Sequence, residues 1–250
     1  MTRLRVDQLM VERGLAESRA RAQALILAGR VFSGERRLDK PGQAVAGDVE
    51  LCVRTPGPAY VSRGGTKLAH GLDYFGIDPA GSVALDVGAS TGGFTDVLLR
   101  RNAARVYAVD VGHGQLDWRL RNDPRVVVHE RTNARHLTRE HVPESVGLVV
   151  CDVSFISLEL ALPAALALAG RDARLVALIK PQFEVGKGQV GKGGVVRDPA
   201  LHETVCARIA RWLGEHDWEV LGITASPITG PKGNREFLIA ARRSEKSALA

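Results

Sequence analysis

Hydrophobic positions in residues 61–250 recur with two alternating spacings. Short aliphatic and β-branched runs predict strands, and apolar residues at every third or fourth position predict helices. The predicted strands are 83–87, 106–110, 126–128, 147–152, 175–180, 218–224 and 236–240. The predicted helices are 65–75, 94–101, 157–169 and 199–214. Alternating strands and helices predict a mostly parallel α/β sheet, with antiparallel pairing at the end because no helix separates the last two strands.

Residues 1–53 carry a different pattern, with two short helical spacings followed by brief apolar pieces. Gly14 is placed to end the first helix. Ser18 is placed to cap the second helix, and Gly29 to end it. Short strands are predicted around 31–32 and 49–53. The region is therefore expected to be a small module of two helices and a few short strands.

A stretch rich in proline and glycine separates the two patterns. Residues 54–60, RTPGPAY, show no apolar period and predict a linker. We therefore expect a small domain at residues 1–59 and a larger domain at residues 61–245. The final residues, SEKSALA, are predicted to be unstructured.

The composition is that of a globular protein, with 250 residues, 45% hydrophobic and 25% charged. The formal net charge is +6, and residues 1–60 hold ten basic against seven acidic side chains. This excess favours an acidic partner, either nucleic acid or a membrane surface. The sequence shows no signal peptide and no apolar run long enough to span a membrane, so a soluble cytoplasmic protein is expected. Cys52, Cys151 and Cys206 are far apart, which argues against a disulfide framework or a structural metal.

The segment from Ala84 to Asp96, ALDVGASTGGFTD, runs from a strand through a glycine-rich loop into a helix. Its pattern, D-x-G-x-x-x-G-G, differs from the G-x-G-x-x-G of dinucleotide enzymes. The next strand ends with Asp110, 24 residues after Asp86, where a carboxylate can bind two ribose hydroxyls. An Asp before the first glycine disfavours a phosphate. A nucleoside ligand without pyrophosphate is therefore expected, and S-adenosylmethionine fits.

A second glycine-containing segment, residues 186–192, nearly matches the phosphate-binding loop G-x-x-x-x-G-K-[ST]. The next residue is Gly193, so the hydroxyl that binds magnesium is missing. Nucleotide hydrolysis is therefore disfavoured, and a flexible basic loop is the better interpretation. Lys187 and Lys192 either reach phosphates there or are simply solvated.

Four charged residues fall near predicted strand ends. Asp152 and Lys180 close two strands, and ligands of open α/β sheets bind outside the carboxyl ends of strands. Lys67 lies in SRGGTKL, before the first strand of the larger domain, and Glu236 starts the last strand. Taken singly, Lys67 and Glu236 are equally well explained as surface charges.

In order and context, these four residues around DVGASTGGF resemble the ribose 2′-O-methyltransferases of the FtsJ class. The segments VERGLAESRARAQALILAGRV and KPGQAVAGDVEL look like the RNA-binding domain typified by small-subunit ribosomal protein S-four. Combined with SRGGTKL, CDVSFISL, IKPQFE and GNREF, they resemble the TlyA family of 16S/23S rRNA cytidine-2′-O-methyltransferases, which are often named hemolysins. The resemblance extends to about residue 240.

The resemblance implies a Rossmann-like class I methyltransferase domain, with a mostly parallel seven-stranded sheet and helices on both faces. A small α+β RNA-binding domain would precede it. The implied activity transfers a methyl group from S-adenosylmethionine to the ribose 2′-hydroxyl of cytidine in 16S or 23S rRNA, or in both. The implied partners are ribosomal RNA and ribosomal subunits, with no membrane, no metal and a monomeric enzyme.

The resemblance also assigns roles. Neutral Lys180 would be the base, Asp152 would orient it, Lys67 would stabilise the alkoxide, and Glu236 would hold Lys67 or the ribose. The expected cofactor contacts are Asp86, Gly88, Ala89, Ser90, Gly92, Phe94, Asp110, Asn133 and Asp152. For Phe94 a core contact, and for Asn133 a turn, are alternative roles. The expected RNA contacts are Arg3, Arg5, Arg19, Arg21, Arg30, Lys40, Lys187 and Lys192.

Two features depart from the family pattern. The turn Phe32-Ser33-Gly34 stands where members usually carry a turn like Val-Asn-Gly, and PAYV stands in the linker where some members carry Arg and Trp. Two other functions remain open. One is a membrane-active hemolysin, and the other is an RNA-binding protein that has kept an inactive methyltransferase fold.

Overall fold

The computed structural model describes residues 3–53 and 60–244, without the side chain of Lys187. Residues 54–59 of the predicted linker and 245–250 of the predicted tail lie outside the described residues. The chain forms two compact units, Met1–Gly57 and Pro58–Ala250. Each unit has its own apolar core.

The first unit holds two helices and five short strands. They are β1 (Arg3–Arg5), α1 (Val6–Glu12), α2 (Arg19–Leu27), β2 (Val31–Ser33), β3 (Arg36–Arg37), β4 (Ala44–Ala46) and β5 (Cys52–Val53). Both predicted helices are present, with Gly14 at φ +69° after the first. Ser18 caps the second, because its Oγ accepts a hydrogen bond from the Arg21 N–H at 3.2 Å. The prediction missed β1, β3 and β4, since two or three residues are too few to show a period.

The second unit alternates strands with helices. Its first half holds α3 (Arg63–Phe75), β6 (Val83–Val87), α4 (Gly93–Arg100), β7 (Arg105–Val109), α5 (Trp118–Arg121) and β8 (Val126–His129). Its second half holds β9 (Val146–Cys151), α6 (Leu158–Ala161), α7 (Pro163–Ala167), β10 (Ala169–Ile179), α8 (Pro181–Glu184), α9 (Pro199–Glu215), β11 (Trp218–Ala225) and β12 (Phe237–Arg243). Of the described helices, none is long and apolar enough to cross a membrane.

Seven strands form one sheet in the order β11-β12-β10-β9-β6-β7-β8. The pairs among β10, β9, β6, β7 and β8 are parallel, and β12 runs antiparallel to both β10 and β11, as the sequence predicts. Alternate strand residues face two separate cores. One core contains residues of α6, α7 and α9, and the other contains residues of α3 and α4. The predicted seven-stranded sheet with helices on both faces is therefore confirmed.

The helix predicted at 157–169 is present at 158–161 and 163–167, but it is interrupted. It is split into α6 and α7 at Pro163, whose ring nitrogen cannot donate the helical hydrogen bond. The following strand starts at Ala169 and not at 175, and its pairing with β9 shifts register between Ala169 and Arg174. Residues 169–174, AGRDAR, contain no apolar run, so the sequence predicts only the later part of this strand.

Candidate active site

The loop between β6 and α4 is shaped by residues with positive φ. Gly88, Ser90 and Gly92 have φ values of +85°, +47° and +96°. A Cβ on Gly88 would lie 2.8 Å from the carbonyl oxygen of Asp152, so only glycine allows this approach between neighbouring strand ends. The loop therefore brings its backbone close to the segment after β9.

Asp110, the residue after β7, is held by two backbone amides. Its Oδ2 accepts a hydrogen bond from the Ser90 N–H at 2.8 Å, and its Oδ1 accepts one from the Gly112 N–H at 2.7 Å. Each carboxylate oxygen has a further acceptor position. The carboxylate is thus fixed in place while it can still accept from two hydroxyl groups.

Two neighbouring cavities open beside this loop, of about 440 Å³ and about 400 Å³. The first is lined by Gly88, Ser90, Val109, Asp110, Val111, Gln115, Thr132, Asn133, Ala134, Arg135, Asp152, Val153, Ser154, Phe155, Ile156 and Ala161. The second is lined by Ser62, Arg63, Gly64, Gly88, Ala89, Ser90, Thr91, Gly93, Phe94, Asp152, Ser154 and Lys180. The shared lining residues are Gly88, Ser90, Asp152 and Ser154. These four residues therefore form a wall that the two cavities share.

Asn133 and Phe94 also serve the structural roles that the sequence left open. The Asn133 Oδ1 accepts from the Arg135 N–H at 3.1 Å and caps a short turn, although Asn133 still lines the first cavity. Phe94 is 3% exposed and packs in the core while it borders the second cavity. Neither role excludes a ligand contact.

Two residues predicted to touch the cofactor do not line either cavity. Asp86 is fully buried, where its Oδ2 accepts a hydrogen bond from the Thr95 hydroxyl at 2.7 Å. Burial, with a smaller contribution from the carboxylates of Asp152 and Asp110, raises the pKa of Asp86 to about 7 against the lowering effect of the Thr95 hydrogen bonds. Gly92 precedes α4 and faces Leu120, which a Cβ on Gly92 would approach to 2.3 Å. Asp86 therefore bonds to the first turn of α4, and Gly92 leaves room for Leu120 at the end of the loop.

The four charged residues singled out in the sequence meet as two ion pairs. Lys67 Nζ lies 2.5 Å from Glu236 Oε2, and Lys180 Nζ lies 2.6 Å from Asp152 Oδ1. The antiparallel register pairs Ile179 with Phe237. Lys180, just after β10, and Glu236, just before β12, are therefore opposite each other. All four side chains are therefore gathered at the carboxyl edge of β9 and β10. Asp152, Lys180 and Glu236 each lie one residue outside the strand that was predicted to contain it, and Lys67 lies on α3.

Comparison with known proteins places this arrangement in a family. The FtsJ-like methyltransferase family matches residues 60–243, and the S4 domain matches residues 4–51. The 16S/23S rRNA (cytidine-2′-O)-methyltransferase TlyA of Mycobacterium tuberculosis is 53% identical over 249 residues, which cover 99% of this chain and 93% of the relative. The chain belongs to the TlyA family. This TlyA family member is an RNA 2′-O-methyltransferase of the FtsJ-like class.

Other relatives carry a different name. Hemolysin A of Brachyspira hyodysenteriae is 40% identical over 236 residues, which cover 94% of this chain and 98% of the relative. A solved structure from Streptococcus thermophilus that carries a hemolysin name is 40% identical, with a TM-score of 0.73, 98% of this chain and 90% of that chain covered. An S-adenosylmethionine-dependent methyltransferase from Listeria monocytogenes shares the fold, at 14% identity and a TM-score of 0.53, over 72% of this chain and all of that chain.

Sequence reasoning missed Ser154 in this TlyA family member. The Lys180 Nζ donates a hydrogen bond to the Ser154 Oγ at 2.9 Å. Ser154 borders both cavities. A serine three residues after a strand carries no distinctive pattern, so only its proximity to Lys180 identifies it.

Glu184 was also missed, although it lies in the IKPQFE segment. Its carboxylate accepts from the Ser157 hydroxyl at 2.7 Å, the Leu158 N–H at 2.8 Å and Arg208 at 2.6 Å. Burial raises the pKa of Glu184, while these hydrogen bonds and Arg208 oppose that shift. Glu184 thus ties α8, which follows Lys180, to the segment that follows Asp152.

Phe155 is a third residue that sequence reasoning missed. It is 89% exposed at the rim of the first cavity, with a φ of +66°. Its ring lies 4.9 Å from that of Phe183, centroid to centroid. The positive φ holds this exposed side chain at the cavity rim, which the sequence does not reveal.

In the first unit, the predicted RNA contacts have different surroundings. Arg3, Arg5, Arg19, Arg21 and Lys40 are exposed, and Arg30 is half-buried. Arg5 and Arg19 both reach the buried Asp7, at 2.9 Å and 3.3 Å. These guanidinium groups and Gln23 hold the pKa of Asp7 well below its usual range. One negative charge shared by two arginines leaves net positive charge at the surface.

A shallow basic cleft in the first unit adds residues that the sequence did not single out. It is lined by Arg36, Arg37, Asp39, Lys40, Gly42 and Gln43. The Arg5 guanidinium packs against Gly42, where a Cβ would meet it at 3.2 Å. Arg5 therefore lies beside the cleft that holds Arg36 and Lys40, although it is far from both in the sequence.

The near match to a phosphate-binding loop has a different structure from such loops. It forms a short turn at Lys187–Gln189, followed by an isolated bridge between Gly191 and Val195. Lys192 is exposed, and the side chain of Lys187 lies outside the described part of the chain. Asn234 anchors the end of this loop, since its Oδ1 accepts from the Val196 N–H at 3.1 Å.

Proposed function

We propose that this TlyA family member methylates the ribose 2′-hydroxyl of cytidine in 16S rRNA, 23S rRNA or both, with S-adenosylmethionine as the methyl donor. The observation that carries the proposal is the position of the Lys180 amine. It borders the second cavity and contacts Asp152 and Ser154, which line both cavities. Glu236 is opposite Lys180 on the neighbouring strand. A lysine held there can take a proton from a hydroxyl group placed between the two cavities.

The residues of the first cavity fit the nucleoside half of S-adenosylmethionine. Asp110, held by two amides, keeps one acceptor position on each oxygen for the ribose hydroxyls. Val111, Ile156 and Ala161 provide apolar surface for adenine, and Asn133 provides a polar edge. No phosphate-binding feature is needed for this ligand. When bound, it supplies an electrophilic methyl group on a sulfonium and leaves as a neutral thioether.

The second cavity fits the other half of the donor and the target ribose. It is bordered by Gly64 in the first turn of α3 and by Gly93 and Phe94 in the first turn of α4. The N–H groups in the first turn of α4 favour a carboxylate such as that of the methionine moiety, whereas the Gly64 N–H of α3 already donates to the Ser62 Oγ at 3.3 Å. Glycines at these positions let the backbone approach closely, because a Cβ on Gly93 would meet the Ser62 Oγ.

Methylation requires that the ribose oxygen lose a proton as it gains the methyl group. Lys180, as a neutral amine, accepts this proton and becomes an ammonium ion beside Asp152. The carboxylate stabilises that charge at 2.6 Å. General-base help of this kind contributes about 10²- to 10⁴-fold to the rate.

Lys67 and Glu236 support the same reaction centre. Lys67 is 7% exposed and Glu236 is 2% exposed, so their charges interact with little screening. A cation beside the developing alkoxide lowers the energy of the transition state. Glu236 fixes that cation, and its register opposite Lys180 links the two ion pairs.

Phe155 supports a nucleotide that has been turned out of its helix. A ribose inside an RNA duplex is poorly accessible, and enzymes that modify such nucleotides stack the displaced base on aromatic side chains. Phe155 is 89% exposed at the cavity rim and is backed by Phe183. We therefore assign it to the face of the target base.

The first unit supplies RNA affinity in this proposal, within the domain assignment of residues 1–59 and 61–245. Its cleft residues Arg36 and Lys40, with Arg5 beside Gly42, supply positive charge there, while Arg37 is paired with Asp39 at 2.6 Å. Arg3, Arg19, Arg21, Arg30, Lys187 and Lys192 are further candidates for phosphate contacts. Contacts of this kind give affinity that depends on salt but carry little sequence information.

The proposal is tested by transfer of labelled methyl groups to purified 30S and 50S subunits. Digestion to nucleosides should yield 2′-O-methylcytidine from the wild type and none from Lys180→Ala. Arg242→Ala, at the end of β12 away from Glu236, is the matched loss of a positive charge and should remain active. Label on a base, or transfer by Lys180→Ala at the wild-type rate, would refute the proposal.

A further inference from the structure

The amine of Lys180 has two neighbours of different kinds. Asp152 Oδ1 lies 2.6 Å away as the partner of an ion pair, and Ser154 Oγ accepts a hydrogen bond at 2.9 Å. In the part of the chain that the structure describes, Asp152 Oδ1 has no hydrogen-bond donor of suitable geometry. The contact with Asp152 is therefore mainly electrostatic, and the contact with Ser154 is the directional one.

This difference matters for a base. Coulomb attraction depends on distance and leaves an amine free to rotate, whereas a hydrogen bond also restrains the angle at the donor. A lysine side chain has four rotatable carbons and three equivalent donors, so it is poorly oriented by charge alone. A neutral amine has a single lone pair, which must face the substrate hydroxyl for proton transfer.

A second set of hydrogen bonds joins the segment after β9, which contains Ser154, to the segment after β10. Glu184, four residues after Lys180, accepts from the Ser157 hydroxyl and the Leu158 N–H. Ser157 lies three residues after Ser154 and caps α6. The segment after β9 is thus fastened at both ends to the segment after β10, with Arg208 bracing Glu184 at 2.6 Å.

We propose that Ser154 is a positioning residue that directs the amine of Lys180 toward the ribose hydroxyl. The inference rests on the proposed function, in which Lys180 is the base. Ser154 takes one N–H of the neutral amine and leaves its lone pair to the cavity. Asp152 then stabilises the ammonium ion that forms, so the two neighbours act at different stages of proton transfer.

The test compares Ser154→Ala, Ser154→Thr and the control Ser82→Ala in single-turnover methylation of subunits. The Ser82 hydroxyl bonds to the Pro79 carbonyl at the opposite edge of the sheet, before β6. Misorientation of a reacting group costs on the order of ten- to a hundredfold in rate. We expect Ser154→Ala to lower kcat by at least tenfold while KM for RNA and Kd for S-adenosylmethionine stay within twofold.

Rescue separates positioning from packing. Ser154→Thr keeps the acceptor oxygen and should retain kcat within threefold of the wild type, as should Ser82→Ala. The inference fails if Ser154→Ala keeps full kcat or if Ser154→Thr is as slow as Ser154→Ala. It also fails if Ser154→Ala mainly weakens binding of S-adenosylmethionine, since the hydroxyl would then contact that ligand directly.

A parallel Lys180→Ala arm distinguishes the two levels of the argument. If Lys180→Ala is inactive and Ser154→Ala is fully active, only the positioning role is lost. If Lys180→Ala is active, the assignment of the base fails and the role of Ser154 fails with it. Unchanged unfolding midpoints in the Ser154 variants exclude loss of folded protein, and they are expected because Ser154 is exposed. Lys180→Ala removes one partner of a nearly buried ion pair, so it is assayed below its own unfolding midpoint.

Discussion

Lys67 Nζ and Glu236 Oε2 lie 2.5 Å apart although 169 residues separate them in the chain. Both side chains are at most one-tenth exposed. A buried ion pair is costly to form but far more costly to break on one side, because the remaining charge has no partner. This asymmetry permits an experiment that separates stability from catalysis.

Lys67→Ala should lower the free energy of unfolding by about 3–5 kcal/mol, as removal of one partner of a buried pair typically does. The double variant Lys67→Met, Glu236→Leu should recover most of this loss, because both charges are gone. Neither variant should methylate RNA. Urea unfolding and methyl transfer, measured side by side, check the prediction. Activity in the stable double variant would remove the pair from the reaction centre.

Asp110→Ala should weaken binding of S-adenosylmethionine by about ten- to a hundredfold, since hydrogen bonds to a charged group contribute about 1.5–3 kcal/mol. The Ser90 and Gly112 amides would also lose their acceptor. Titration calorimetry measures the change. Glu219→Gln, at the opposite end of the sheet, should bind normally. An unchanged affinity in Asp110→Ala would contradict its assignment to the ribose.

Gly88→Ala should lower the free energy of unfolding by more than its positive φ alone explains. The new Cβ would lie 2.8 Å from a backbone oxygen of Asp152, which cannot move without shifting β9. Gly81→Ala is the matched control, with a φ of +69° and no atom within 4 Å of the added Cβ. Gly81→Ala should cost about 1–2 kcal/mol of stability and leave binding intact. Gly88→Ala should cost more and lose S-adenosylmethionine affinity, and equal effects would argue against the close approach.

Asp86 makes stability depend on pH in an unusual direction. Its pKa is raised to about 7 in the folded protein, so the folded state holds the proton more tightly than the unfolded state. This contribution to stability is complete below about pH 4 and is lost as the pH rises toward 7. Asp86→Asn should remove it. The stability of the variant relative to the wild type should therefore rise between pH 4 and 7, by roughly 2–4 kcal/mol. A stability difference between Asp86→Asn and the wild type that is the same at pH 4 and pH 7 would show that Asp86 ionises normally.

The basic cleft of the first unit should determine how RNA binding responds to salt. Arg36→Ala with Lys40→Ala should weaken binding at low salt and reduce the slope of log affinity against log salt by about one per lost phosphate contact. Filter binding of rRNA fragments at several salt concentrations measures this slope. Arg242→Ala, whose guanidinium pairs with Glu219, should leave the slope unchanged. A wild-type slope in the double variant would show that the RNA does not contact this cleft.

Much of the fold follows from local patterns. The glycine loop, its preceding strand and the helix after it are encoded within thirteen consecutive residues, and Asp110 follows at the end of the next strand. The errors arise where the local signal is ambiguous. Residues 169–174 carry no apolar run, so the start of β10 was missed, and the break between α6 and α7 follows from Pro163, which cannot donate a helical hydrogen bond.

The candidate site divides in the same way. The sequence alone determined the alternation of elements, the loop at Gly88 and which charged residues stand at strand ends, because these depend on neighbours within a few positions. Only the tertiary structure decided that Asp86 accepts a hydrogen bond from Thr95, that Lys67 pairs with Glu236, and that Ser154 accepts a hydrogen bond from Lys180. Those relationships join distant parts of the chain through strand register and burial, which no local spacing specifies.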